Sequence, residues 1–372
     1  MNITLHLTNR CNLACKYCYV DKKYPADMPL DVAKQAIDMG IMSSKSQMGI
    51  SFFGGEPLLK KELIKDIVSY CEEVSFKKNI KFKFNLTING ILLNETFAIY
   101  AKEKKINIAI SHDGIKEAHN SNRMDIAGNG SFDKVDSNCT MLLKHHPYAS
   151  VILVITPNTV THLYKSIVYL FNKGFRYLLV SFDYGAKWDE KSMKMLESQY
   201  KSLSTLYYQK SIANHKFYLE PFETKIASYI DNQSFNMCRC TLGKSQISIA
   251  PDGNIYPCTQ LINDPNLLMG NTEAKSIRDI SYLKDKGSKE APCNQCVIKN
   301  RCVYDCSCIN KQSTGDINKT SPALCMHEQM VIRLADELAS KLYKVENEAF
   351  INKHYNNLYS FISVFEDQYI FS

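Results

Sequence analysis

Three cysteines fall within eight residues, at Cys11, Cys15 and Cys18, in the stretch "LTNRCNLACKYCYVDK" that carries on from a short apolar run. Three thiolates this close cannot all pair as disulfides. They suit a metal or a cluster, and the usual complement is four ligands, so this set is one short. A second array lies downstream at Cys238, Cys240, Cys258, Cys293, Cys296, Cys302, Cys306, Cys308 and Cys325. Clustered cysteines in a reducing compartment read as metal or cluster ligands rather than as disulfides. Two others have a plainer role. Cys71 follows Ile64, Ile67 and Val68 at helical spacing, and Cys139 stands between Val135 and Leu142 in the same way, so both are core positions.

The elements that must position these residues alternate through the first 185 residues. Apolar, β-branched runs at 3–8, 49–55, 81–88, 106–111, 150–156 and 177–183 predict buried parallel strands. Helical stretches are predicted at about 29–44, 60–78, 93–105, 133–146, 161–173 and 189–212. Six β-then-α units imply right-handed crossovers and an open partial barrel, with chemistry at the C-terminal ends of the strands. The first cysteine loop follows the first strand and so lies at that edge. After about residue 225 the texture changes to Gly and Pro turns, short strand-like pieces such as "SQISIAPDGNIYPC", and most of the cysteines. That is the composition of a small domain held by metal rather than by a large core. The expected division is a partial (β/α)6 barrel over 1–225, a cysteine-rich domain over 226–330 and a C-terminal helical extension over 331–372.

Composition narrows the class. No run of about 18 apolar residues is present, so no membrane span is expected. No basic segment followed by an apolar one opens the chain, so a cytoplasmic protein is expected. The formal charge is +7, but Lys and Arg are spread without a dense block, and no nucleic-acid partner is expected. Eleven thiolates on three clusters of charge 2+ would bring that figure to about +2.

"CNLACKYC" resembles the CxxxCxxC pattern of the radical SAM superfamily. The resemblance makes Cys11, Cys15 and Cys18 the ligands of a [4Fe–4S] cluster whose fourth iron is chelated by S-adenosylmethionine. Further motifs carry the same likeness. "GGEP" (Gly54, Gly55, Glu56, Pro57) ends the second strand, where the family binds the methionine amino group. "TING" places Asn89 at the end of the third strand. "SHDGIKEAHNSNR" offers Ser111 for the ribose or methionine part of the ligand and Arg123 for its carboxylate. Tyr17 holds the family's aromatic position near the adenine, while Asp113 and His119 shape the turn.

The second array looks like a SPASM domain, matched in order by Cys240, Cys258, Cys293, Cys296, Cys302, Cys306 and Cys325. The family pattern implies two auxiliary [4Fe–4S] clusters, giving three in all. The first would take Cys240, Cys258 and Cys306, with Cys238 as candidate fourth ligand. The second would take Cys293, Cys296, Cys302 and Cys325. Cys308 is an extra thiol, and without Cys238 the first auxiliary cluster has an open iron. Four-cysteine zinc sites with similar spacings are the alternative.

Members of this family mostly modify peptides or proteins. The expected activity is an intrapeptide cross-link, a thioether before a carbon–carbon bond, on a peptide encoded nearby. A low-potential donor such as flavodoxin or ferredoxin would supply electrons. No room for a leader-binding domain precedes residue 3, so leader recognition is expected to fall to a separate leader-recognition protein or to another surface. The alternative is an anaerobic sulfatase maturase, which makes formylglycine. That branch carries an aspartate base directly after the cysteine of its G-x4-C element, where this chain has Thr259. A non-catalytic electron-transfer or scaffold protein is the reading from another class, and the S-adenosylmethionine motifs argue against it.

Overall fold

The computed structural model describes residues 2–20, 26–44, 46–231, 240–284 and 293–356. Its first half is a repeating strand-helix chain: β1 (Asn2–Thr8), α1 (Leu30–Met42), β2 (Gln47–Gly54), α2 (Lys61–Lys78), β3 (Lys81–Ile88), α3 (Glu95–Glu103) and β4 (Ile106–Ser111). Two helices then follow, α4 (Lys116–Asn122) and α5 (Phe132–His145), before β5 (Ser150–Ile155), α6 (Leu163–Lys173), β6 (Tyr177–Phe182) and α7 (Glu190–Ile212). Strands β1 to β6 are parallel to their neighbours in chain order, so their C-terminal ends share one edge. This is the partial barrel of six units.

A short β7 (Tyr218–Leu219) adds to β6 in parallel, and α8 (Phe222–Ile230) follows it. The cysteine-rich part contains β8 (Gln246–Ile249), β9 (Asn254–Tyr256), β10 (Gly270–Asn271), β11 (Ser276–Ile277) and α9 (Ser307–Thr314). The chain then forms α10 (Pro322–Lys344) and α11 (Glu348–Tyr355). β8 pairs in parallel with β1, on the side opposite β2, and β9 to β11 continue as antiparallel neighbours. The cysteine-rich part therefore extends the barrel sheet across its first edge. Both faces of β1 are covered and neither of its edges is open, which removes an edge that would otherwise invite pairing.

The alternation of β1 decides which side does chemistry. Ile3 packs toward Gly40 of α1, and Ile3, Leu5 and Leu7 are buried in the main core. Thr4 and His6 therefore point to the concave side. His6 is buried beside the Phe53 ring at 5.4 Å, and neither ring nitrogen has a hydrogen-bond partner among the described residues. Burial lowers its pKa to about 3. Below the ordinary histidine value of about 6.5 the unfolded chain binds a proton that folded His6 does not. This group's contribution to stability is therefore complete above that value and declines as pH falls toward 3, by about 1.4 kcal/mol per unit. A His6→Gln chain should lose stability less steeply than the parent between about pH 6 and 4 in urea titrations. Equal slopes would mean that His6 is hydrated in solution.

Helix α10 returns to the barrel and packs along α7 and α8. At that junction Lys225 of α8 and Glu328 of α10 form an ion pair at 2.6 Å, with side chains only 4% and 3% exposed. Lys225 also donates to the Arg301 carbonyl, and Glu328 accepts from the Val303 N–H. Arg301 in turn pairs with Asp336 through two nitrogens and donates to Ser228. These bonds tie the segment around Cys302 to both helices.

Candidate active site and cysteine clusters

Four loops meet where β1 to β4 end. The first carries Cys11, Cys15 and Cys18, and it is fixed from three directions. Gly55 and Glu56 donate backbone N–H bonds to the carbonyls of Thr8 and Arg10, at 2.7 and 2.9 Å. Asn89 donates through Nδ2 to Asn12 Oδ1 at 2.7 Å and toward Cys11 Sγ at 3.6 Å. Ala14 and Lys16 donate to the carbonyls of Met124, just beyond α4, and Asn122, its last residue. A loop held by so many backbone bonds presents its thiols in a preset arrangement. Cys11 and Cys15 are half-buried and Cys18 is exposed.

The two glycines of GGEP are explained by the chain's own backbone. A Cβ on Gly55 would lie 2.1 Å from the Arg10 carbonyl oxygen, and one on Gly54 2.4 Å from that of Thr8. Gly54 also has φ +127°, a conformation that L side chains rarely adopt. Their absent side chains thus let the second loop close on the cysteine loop. Glu56 is fully buried and accepts N–H bonds from Leu58 and Asn89, joining the ends of β2 and β3. Burial pushes its pKa up to about 7 against those two bonds and the Arg123 charge.

Tyr17 and Arg123 meet, with Asp113 as a third member. Arg123 donates to the Tyr17 hydroxyl at 2.6 Å, and that hydroxyl donates to Asp113 Oδ2 at 2.7 Å. Asp113 Oδ1 accepts from the Val154 N–H at 3.1 Å. Asp113 and Arg123 are nearly inaccessible. Burial raises the Asp113 pKa, with the Arg123 charge opposing it. Arg123 Nε is buried and has no hydrogen-bond partner among the described residues. Asp113 is thus more than a turn former, because it holds the tyrosine that separates Cys15 from Cys18. His119 keeps the expected structural role, accepting from the Asp113 N–H at 3.3 Å and meeting Ser131 at 2.9 Å. Ser111 ends β4 half-buried, paired with Ile152 of β5. A Tyr17→Phe substitution leaves Arg123 and Asp113 each short of a partner. The expected loss is roughly 1–3 kcal/mol of stability, seen as a lower urea midpoint with unchanged slope.

The downstream cysteines form two groups. In one, Cys306 Sγ lies 3.4 Å from Cys308 Sγ. The Cys240 thiol meets Cys306, and the Cys258 thiol meets Cys308. In the other, Cys325 at the start of α10 lies near Cys293 and Cys296, and Cys302 is buried beside Glu328. Cys238 lies outside the described residues. Cys71 and Cys139 are fully buried in the main core. Tyr19 joins the two halves: its ring stacks on Phe53 at 6.5 Å, and it lies near Cys18, Cys258 and Cys308. Thr259, next to Cys258, shares a hydrogen bond with Ser248 of β8 at 3.1 Å, so hydroxyls rather than a carboxylate occupy that position.

The donor sets suit iron–sulfur clusters. Three thiols on one preset loop leave one iron of a four-iron cluster for another ligand. In the first downstream group the thiols run as a chain of pairs. Four cysteines from separate segments are the ligand complement that such a cluster takes.

Comparison with known proteins agrees with this chemistry. Residues 5–168 match the Radical SAM superfamily, and residues 238–297 match the SPASM iron–sulfur cluster-binding domain. The chain is 24% identical to a cysteine-type anaerobic sulfatase-maturating enzyme of Clostridium perfringens, over 82% of this chain and 89% of that one. The structure of native anSMEcpe with bound AdoMet and Cp18Cys peptide superposes with a TM-score of 0.79 at 22% identity, covering 92% of this chain and 99% of that one. Streptococcus suis SuiB bound to precursor peptide SuiA superposes with a TM-score of 0.62 at 15% identity, covering 87% and 75%. At such identities these superpositions establish the fold. Among the described residues no helix is long and apolar enough to cross a membrane.

Proposed function

The chain is a radical SAM enzyme with a SPASM domain, and on that premise we propose that it oxidises a peptide substrate by joining two of its side chains. Cys11, Cys15 and Cys18 would hold the S-adenosylmethionine-binding cluster. Arg123, with its unpartnered buried Nε, would receive the ligand's carboxylate, and Glu56 and Asn89 would line the methionine side. S-adenosylmethionine, once bound there, supplies a carbon radical that takes hydrogen from substrate. The downstream cysteines would hold two auxiliary clusters, three in all, which accept the electron that the oxidised peptide gives up. A low-potential protein donor would reduce the first cluster.

The observation that carries this reading over formylglycine formation is Thr259. Its hydroxyl is tied to Ser248, and neither can serve as a carboxylate base would at neutral pH. The second reading, formylglycine formation, is supported by the likeness to the sulfatase-maturating enzyme over most of both chains.

Mass spectrometry separates the two. With reductant, S-adenosylmethionine and a peptide encoded beside this gene, the product should be lighter by two hydrogens and should fragment as a closed loop. Formylglycine on a sulfatase-like Cys-x-Pro-x-Arg peptide, without a cross-link on any neighbouring peptide, would replace the first reading with the second. Alkylation of the product then identifies the bond: a free peptide thiol excludes a thioether.

A further inference from the structure

The family pattern leaves the fourth ligand of the first auxiliary cluster unassigned, and the structure brings a thiol to that place. We infer that Cys308 completes a four-thiolate site with Cys240, Cys258 and Cys306, so that the first auxiliary cluster has no open iron. The inference rests on the reading that the SPASM domain holds iron–sulfur clusters.

The geometry comes from three separate segments. Cys240 precedes β8, Cys258 follows β9, and Cys306 and Cys308 open α9. Cys306 is the residue before the helix, with extended backbone (φ −72°, ψ 102°), and Cys308 is the second helical residue. At that junction the side chain of the capping residue turns back over the first turn. Cys306 Sγ lies near that turn without making a capping hydrogen bond, and reaches 3.4 Å from Cys308 Sγ. A C-x-C pair in a regular helix would point its thiols in different directions; the helix start lets both face one site. Cys240 then meets Cys306, and Cys258 meets Cys308, so each thiol of the helix start has a partner from the hairpin side.

Backbone donors surround the same sulfurs. Leu242 and Ser307 face Cys240 with their N–H groups, and Thr259 and Gln260 face Cys258. Such donors stabilise thiolate charge and tune cluster potential. The Lys284 ammonium bonds the Cys240 carbonyl and pairs with Asp305, which adds a cation at the rim. Cys258 and Cys308 also pack against the main core, so neither can swing out to solvent without uncovering apolar surface. Packing thus holds Cys308 beside the other three thiols.

The consequence for chemistry is direct. A substrate thiolate has no vacant iron to bind at this cluster, which withdraws the geometric reason for preferring a thioether. The cluster adjoining Tyr19 would then act as an electron acceptor alone.

The test uses the full chain with Cys11, Cys15 and Cys18 changed to Ala, reconstituted so that only the auxiliary clusters remain. The probe is cyanide, read by the electron paramagnetic resonance spectrum of the reduced protein. This parent should hold about eight irons per chain and its spectrum should not move with cyanide. Adding Cys308→Ala should either open one iron, so that cyanide shifts the spectrum, or cost about four irons. Adding Cys238→Ala should do neither. Cys308→Ser, which keeps an oxygen ligand, should retain the iron with a shifted potential. A parent spectrum that already moves with cyanide, or sensitivity created by Cys238→Ala and not by Cys308→Ala, overturns the assignment of Cys308. Stoichiometric zinc in place of auxiliary iron overturns the iron–sulfur reading itself, and the ligand assignment with it.

Discussion

Replacing Cys11, Cys15 and Cys18 with alanine should remove about four of about twelve irons per chain and abolish S-adenosylmethionine cleavage. The loss should be total rather than graded, because these thiols are the only cysteines on the loop and no other described cysteine side chain replaces them at that edge. The remaining irons should stay, since the downstream cysteines sit on other segments with their own backbone support. The fold should also stay. The loop is docked by backbone bonds from Gly55, Glu56, Ala14 and Lys16, none of which involves a thiol. Iron analysis, 5′-deoxyadenosine release and a urea midpoint measured on the same preparation check the three parts separately. If all twelve irons were lost together, the two halves would fold as one metal-dependent unit, contrary to the large barrel core. If cleavage survived, the cluster would be elsewhere.

Much of this site is legible in the sequence because it is local. Cys11, Cys15 and Cys18 share one loop, and GGEP, Asn89 and Ser111 each end or follow a strand. Buried parallel strands read as continuous apolar runs, so the six runs end within two residues of the strands β1 to β6. What local pattern cannot supply is pairing between distant segments. Tyr17 meets Asp113 across 96 positions, and nothing in "SHDG" alone says which side chain its aspartate will hold. β8 joins the barrel beside β1, a register set by the side-chain alternation of both strands rather than by either one. The sequence "SQISIAPDGNIYPC" shows short strand-like pieces but not the sheet that they extend. Helix α4 is seven residues with little apolar periodicity, so its sequence carries no helical signal between its two stronger neighbours. The spacing of Cys306 and Cys308 does not reveal that their Sγ atoms lie 3.4 Å apart, because that closeness depends on where α9 begins.

The junction of α8, α10 and the segment around Cys302 supplies the largest expected stability effect. Glu328→Ala leaves the Lys225 ammonium buried with one carbonyl partner, and it strips the Val303 N–H of its acceptor. Breaking one side of a buried pair in this way costs about 3–5 kcal/mol. Removing both charges is a different experiment. Attraction between buried ions is offset by the cost of taking both from water, so an apolar pair of similar size can be nearly neutral. Lys225→Met with Glu328→Met should therefore recover much of the loss, apart from the bonds to the Arg301 carbonyl and the Val303 N–H, each worth about 1 kcal/mol. A double-mutant cycle in urea isolates the coupling. The same junction bears on the second auxiliary site. Cys302 lies against Glu328, and Cys325 is one turn before it on α10. If the ion pair positions these two ligands, Glu328→Ala should also lower iron by about four per chain, and the double Met variant should lose iron while regaining stability. Iron that follows stability in every variant would instead make the pair a fastener between α8 and α10 and nothing more.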